Sequence, residues 1–127
     1  MEALEKRHSS REFAPDALPL PLLSNLLWAA YGVNRADGGR TAPSALNAQE
    51  IDVYVALPEG AYLYDHEAHV LNRVVESDLR RVTGYQDFVD EAPLDLVYVA
   101  DHARMAMVPV AYRESYASAA AAAIAQN

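Results

Sequence analysis

After Pro19 and Pro21, apolar side chains recur at three- and four-residue steps: Leu22, Leu23, Leu26, Leu27 and Ala30. That spacing predicts an amphipathic helix with one apolar stripe, capped at its C-terminus by Gly32. Upstream, Ala3, Leu4 and Arg7 predict a short helix over residues 2–8, and Ser9 to Pro15 reads as a turn into an extended segment. The period then changes to two. Ile51, Val53, Val55 and Leu57 alternate with Asp52, Tyr54 and Ala56, which predicts a strand over 51–57. Pro58-Glu59-Gly60 reads as a turn and Ala61 to Tyr64 as a returning strand, so a hairpin is expected. Residues 70–75 fit either an extended piece or the start of a helix. Asp78 to Thr83 reads as helical with Gly84 as its stop, and Phe88 to Glu91 as a helical turn before Pro93. Leu94 to Ala100 predicts a second strand, whose apolar tail suggests a central position covered on both faces. Val110 to Asn127 closes the chain, with small residues from Ser118 to Ala125 in a helix-favouring sequence. It stops there with no cap and no following loop, so the chain is expected to be cut within a helix.

Between the first stripe and the first strand, periodicity is lost. Residues 34–49 contain Asp37, Gly38, Gly39 and Pro43 as turn formers, and Arg35, Arg40, Thr41, Ser44, Asn47 and Gln49 as polar groups. Loops of this kind carry binding groups on a rigid scaffold.

Composition narrows the function classes. A length of 127 residues fits one domain, spanning 1–127, with a modest core. The net charge of −8 argues against wrapping nucleic acid or anionic lipid. Yet Lys6, Arg7, Arg11, Arg35 and Arg40, half of all the Lys and Arg, lie in the first third of the chain, so a local anion site is compatible with the acidic whole. The absence of cysteine excludes disulfides, thiolate ligands and thiol catalysis. The N-terminus has no apolar signal region, and the run from Ala119 to Ala125 is too short to span a bilayer, so a cytoplasmic protein is expected.

Three places can carry chemistry. Arg7-His8-Ser9-Ser10-Arg11 gathers two guanidiniums, an imidazole and two hydroxyls, the donor set a phosphate needs; a solvated surface cluster is the plainer reading. Pro43-Ser44-Ala45-Leu46-Asn47-Ala48-Gln49 brings amides that offer both donor and acceptor to the edge of a heterocycle, or else cap their own backbone. His66 and His69, three residues apart beside Asp65 and Glu67, have a spacing that can hold a metal on a helix, but no third ligand has diagnostic spacing, and no metal site is assigned. His102, after Asp101 at a strand end, is a further candidate, with a surface histidine as the plainer reading. Nucleophile-elbow, zincin and Walker patterns are all missing, so a bound cofactor is expected to carry any reaction.

Taken together, these residues resemble the nitroreductase family of FMN-dependent oxidoreductases. Arg7-His8-Ser9-Ser10-Arg11-Glu12-Phe13 is similar to that family's opening motif. Pro43-Ser44 with Asn47 and Gln49, before the strand 51–57, is similar to its second motif. Ala92-Pro93 before a strand and Ala120 to Asn127 as the start of a long central helix fit as well. The segment from Leu27 to Arg35, with Gly39 to Ser44 and Gly60 to Asp65, resembles a subgroup that includes dehydrogenases of azolines in modified peptides. The chain departs from the family in lacking what normally follows the central helix, and in carrying Glu50 after the second motif.

The resemblance implies an α+β fold with a mainly antiparallel sheet flanked by helices, present here as a partial domain, and an intertwined homodimer with FMN at the interface. It implies that Arg7 and Arg11 meet the FMN phosphate and ribityl chain, with His8 and Ser9 lining the cofactor. It implies that Pro43, Ser44 and Asn47 approach the ring from the other subunit, with Gln49 nearby. Hydride would pass from NAD(P)H through flavin N5 to a nitroaromatic, a quinone or another small-molecule acceptor, with no obligatory acid–base side chain. Two other functions fit the same residues: a flavin-dependent dehydrogenase of a specific substrate such as a peptide-borne azoline, and a flavin-free, truncated dimerisation module. Bound flavin separates the last from the others.

Overall fold

The computed structural model describes residues 1–127, apart from the side chain of Ala3. Helix α1 spans Glu2–Lys6 and α2 spans Leu20–Tyr31. Strands β1 (Ile51–Leu57), β2 (Gly60–Asp65), β3 (Val70–Val75) and β4 (Asp95–Ala100) follow, and α3 spans Val110–Gln126. Among the described residues, no helix is long and apolar enough to cross a membrane.

The four strands form one antiparallel sheet in the order β3-β2-β1-β4. Register decides its apolar face. Val55 pairs with Tyr62 and Leu96, and Val53 pairs with Tyr98. Side chains alternate across a strand, so Ile51, Val53 and Val55 share a face with Tyr64, Leu71, Leu96 and Tyr98. Helices α2 and α3 cover that face with Leu23, Leu27, Ala30 and Tyr31 from one and Ala117, Ala120 and Ile124 from the other. This is a two-layer α+β arrangement.

The sequence period placed α2, β1 and the hairpin correctly, and residues 70–75 resolve as a strand. Pro19 and Pro21 precede and open α2, where the first-turn N–H groups have no helical partner to lose. Gly32 does follow the helix, but its backbone is extended. The glycine is required by proximity, since a Cβ there would sit 2.7 Å from the Trp28 carbonyl oxygen. Three readings change. Helix α1 stops at Lys6, leaving Arg7 extended. Residues 78–83 form only a short 3-10 turn at Arg80–Val82, because the Asp78 carboxylate takes the Arg80 N–H and guanidinium. Strand β4 is half-buried, with Val99 and Ala100 exposed, and pairs only with β1. An apolar run cannot by itself distinguish an inner strand from an outer one.

Ile124 is 1% exposed and anchors α3 in the shared core, whereas Val110 on the same helix is 76% exposed. Ile124→Ala should lower stability by about 2–5 kcal/mol in urea unfolding. Val110→Ala should stay within about 0.5 kcal/mol. Equal effects would place α3 off the core.

Candidate functional site

Beyond α2 the chain makes a small hairpin. Val33 bridges Arg40, Asn34 N–H donates to Gly39 O, and Thr41 N–H donates to Gly32 O. Gly38 adopts φ +81, and Asp37 accepts from Gly39 N–H. The turn returns Arg40 beneath the end of α2. There the guanidinium carbon lies 4.2 Å from the centre of the Tyr31 ring, and Arg40 is 6% exposed. One of its N–H groups meets His66 Nε2. A guanidinium only donates, so this nitrogen accepts, and His66 is a neutral imidazole carrying its hydrogen on Nδ1. Burial lowers the Arg40 pKa and raises that of Tyr31, the two groups partly offsetting each other across the contact.

The second stretch, residues 43–49, is a strained loop. Leu46, Asn47 and Gln49 all have φ between +50 and +53, a conformation that costs non-glycine residues energy. Side chains hold it. Ser44 Oγ accepts from Gln49 N–H at 2.8 Å, and the Gln49 amide donates to Gly38 O and Asn47 Oδ1, each at 3.1 Å. Among the described residues, the Ser44 hydroxyl hydrogen and the Asn47 amide N–H groups meet no acceptor. The loop is a wall between two concavities. On one side Pro43, Ser44 and Ala45 face Tyr116, Ala119 and Ala120 of α3 across an apolar space of about 300 Å³. On the other, Asn47 and Gln49 join Arg35, Asp37, His66 and Glu67 around a polar space of about 500 Å³.

The basic strip lies elsewhere. Arg7, His8, Ser9 and Arg11 are exposed, and His8 Nδ1 lies 2.9 Å from Lys6 O. The Arg11 guanidinium rests 5.7 Å from the centre of the Phe88 ring, and the Phe13 ring lies tilted against the same ring at 6.2 Å. The strip lines neither concavity of the loop. Within one chain, then, the two sequence motifs are not brought together, though each presents free donors.

The histidines do not act as a pair. His66 turns to Arg40, while His69 Nε2 lies 2.7 Å from Ser24 Oγ and its Nδ1 lies 2.8 Å from Tyr64 Oη. His102 is exposed at the start of a 3-10 turn capped by Asp101. Sequence reading missed the buried set behind the loop. Glu50 is 0% exposed, and its two carboxylate oxygens, Tyr31 Oη and Arg40 Nε have no hydrogen-bond partner among the described residues. The signal was present in Arg40 and Glu50, charged residues flanking the motif, but charge alone does not reveal burial. Outside this set, Arg104 grips both oxygens of Asp52 at 2.7 Å and ties the turn after β4 to β1.

Burial first, and Arg40 second, hold the His66 pKa below its ordinary value. The folded state therefore binds fewer protons at this site than the unfolded chain does. The resulting stability is full above about pH 6.5 and is lost as pH falls from there through the lowered value. His66→Gln, which keeps an acceptor for Arg40, should flatten the decline in melting temperature below about pH 6.5. An identical pH profile in both proteins would remove His66 from this role.

Residues 4–127 match the model of the nitroreductase family. A protein of Methanocaldococcus jannaschii named as a putative nitroreductase is 32% identical over 117 residues, covering 84% of this chain and 59% of that protein. A crystal structure of a protein from Ralstonia eutropha JMP134, described as a putative nitroreductase, superposes with a TM-score of 0.90 at 56% identity. That match covers 97% of this chain and 59% of the other. The chain thus spans 59% of the length of each of these relatives. With the two motifs, the antiparallel sheet and these likenesses in agreement, the chain belongs to the nitroreductase family.

Proposed function

We propose that this chain is part of an FMN-dependent oxidoreductase that passes hydride from NAD(P)H to a nitroaromatic, a quinone or a similar small acceptor. It works as a homodimer, in the cytoplasm. The observation that carries the reading is the strained loop 43–49, held by its own side chains so that the Ser44 hydroxyl and the Asn47 amide keep free donors. Backbone strain of this kind persists where the surroundings over-determine it, often at ligand sites.

The donor chemistry fits the cofactor. Arg7 and Arg11 are exposed guanidiniums with no carboxylate partner among the described residues, suited to a phosphate. His8 and Ser9 beside them would line the ribityl chain. Pro43 and Ser44 offer an apolar edge with one hydroxyl, and Asn47 offers an amide to a heterocyclic edge, with Gln49 fixing its orientation. Because the strip and the loop line no common space in one chain, a second copy is needed for them to face one ligand. When bound, FMN supplies two-electron carriage between donor and acceptor. The protein's part is to fix orientation, to place donors where charge develops, and to exclude water.

The purified protein should carry yellow flavin and be bleached by NADH or NADPH; a colourless protein that gains no flavin on incubation with FMN would leave only a binding module. Arg7→Ala and Arg11→Ala should each weaken FMN binding by about 1.5–3 kcal/mol in a fluorescence titration. Unchanged affinity in both variants removes the strip from the site. Asn47→Ala should alter turnover or the flavin potential more than it alters the melting temperature. Equal turnover and potential would count against its role.

A further inference from the structure

His69 has no task in the flavin reading, and it joins α2 to β2 through two side-chain contacts. Its Nε2 lies 2.7 Å from Ser24 Oγ on α2, and its Nδ1 lies 2.8 Å from the hydroxyl of Tyr64 on β2. Tyr64 is buried, and its ring meets the imidazole edge-on, with centroids 5.7 Å apart. His69 holds this place at φ +54, a left-handed conformation that is costly for a side-chain-bearing residue. Beside the three groups lies an apolar concavity of about 300 Å³ walled by Leu20, Leu23, Leu27, Val70 and Leu71.

A hydroxyl, a base within hydrogen-bond reach and a third group that orients the base form the arrangement that activates a nucleophile. We propose that Ser24 is an acyl-accepting nucleophile with His69 as its general base, acting on short-chain carboxylic esters whose acyl chain fills the adjacent concavity. With Nδ1–H donating to Tyr64 Oη, Nε2 is free to take the Ser24 proton as Oγ forms a bond to the ester carbonyl carbon. The carbon–oxygen bond to the leaving alcohol then breaks, and the same proton passes from Nε2 to that oxygen. Water repeats the sequence on the acyl-serine, releasing the acid and restoring Ser24. No oxidant or reductant is required. Burial keeps the Tyr64 phenol protonated, so Tyr64 orients the ring and does not balance its charge. His69 is exposed, and solvent stabilises the imidazolium. The apolar concavity, with a volume of about 300 Å³, matches a short alkyl chain.

The test uses p-nitrophenyl butyrate with the intact chain, reading both p-nitrophenolate release and butyrylated peptides by mass spectrometry. Wild type should carry the acyl group on Ser24. Ser24→Ala and His69→Gln should each lose about 10²-fold or more in rate, the lower end of general-base assistance. Ser24→Cys, which keeps a nucleophile in place, should retain labelling. Tyr64→Phe should lower kcat with KM unchanged, as expected of a residue that positions the base. Circular dichroism of each variant separates these losses from misfolding. Hydrolysis by Ser24→Ala at the wild-type rate, or acylation confined to Lys6 or other residues, would overturn the proposal. Flavin content plays no part in either readout, so this test and that of the oxidoreductase reading fail separately.

Discussion

The Arg40 guanidinium, buried against the Tyr31 ring, is the contact on which the candidate site rests. A charged group in such a place needs compensation. Here it comes from the ring face and from a neutral imidazole, with no carboxylate in contact among the described residues. Three segments that are distant in sequence are thereby fixed to one another: the end of α2 through Tyr31, the hairpin 33–40 through Arg40, and the turn after β2 through His66. The loop 43–49 continues directly from that hairpin and leads into β1. Its strained backbone can be held because both its ends are anchored. An apolar replacement at residue 40 would keep the volume and lose the bond to His66, freeing the turn on the other side.

Much of this fold was legible because one sheet face and two helices impose simple periods. The alternation from Ile51 to Leu57 survives as the buried centre of the sheet. Of the stripe Leu22, Leu23, Leu26, Leu27 and Ala30, Leu23, Leu27 and Ala30 became the buried face of α2, while Leu22 and Leu26 stay exposed. Where the reading failed, local chemistry or pairing context decided. Asp78 captured the Arg80 backbone and side chain and limited a helix to a single 3-10 turn. The position of β4 depends on which strand lies beside it, and no feature of Leu-Asp-Leu-Val-Tyr-Val-Ala encodes that.

The site was legible unevenly. Motif spacing located Ser44, Asn47 and Gln49, and the structure shows why those residue types occur together: a hydroxyl receives the Gln49 N–H, and an amide ties the loop to Gly38. The basic strip was visible as composition, and in this chain it lines no space in common with the loop. Arg11 rests against Phe88, and the strip keeps its donors outward. The burial of Arg40 and Glu50 was hidden because a charged residue in a loop looks the same in sequence whether it faces solvent or core.

The two histidines of the β2–β3 turn show how little spacing says about role. A metal would need a lone pair from each ring on the same side, and the fold uses those nitrogens otherwise. His66 must stay neutral, because its Nε2 accepts from a cation that cannot give up its charge. Protonation there sets two positive groups against each other in a confined space. Among the described residues His69 meets two hydroxyls, each of which can donate or accept, so either tautomer finds partners. One turn thus carries an imidazole that the structure penalises for gaining a proton and another set between two hydroxyls. The first is suited to holding a buried charge in place. The second is suited to moving a proton, and it is the second that lies beside an apolar concavity and a serine.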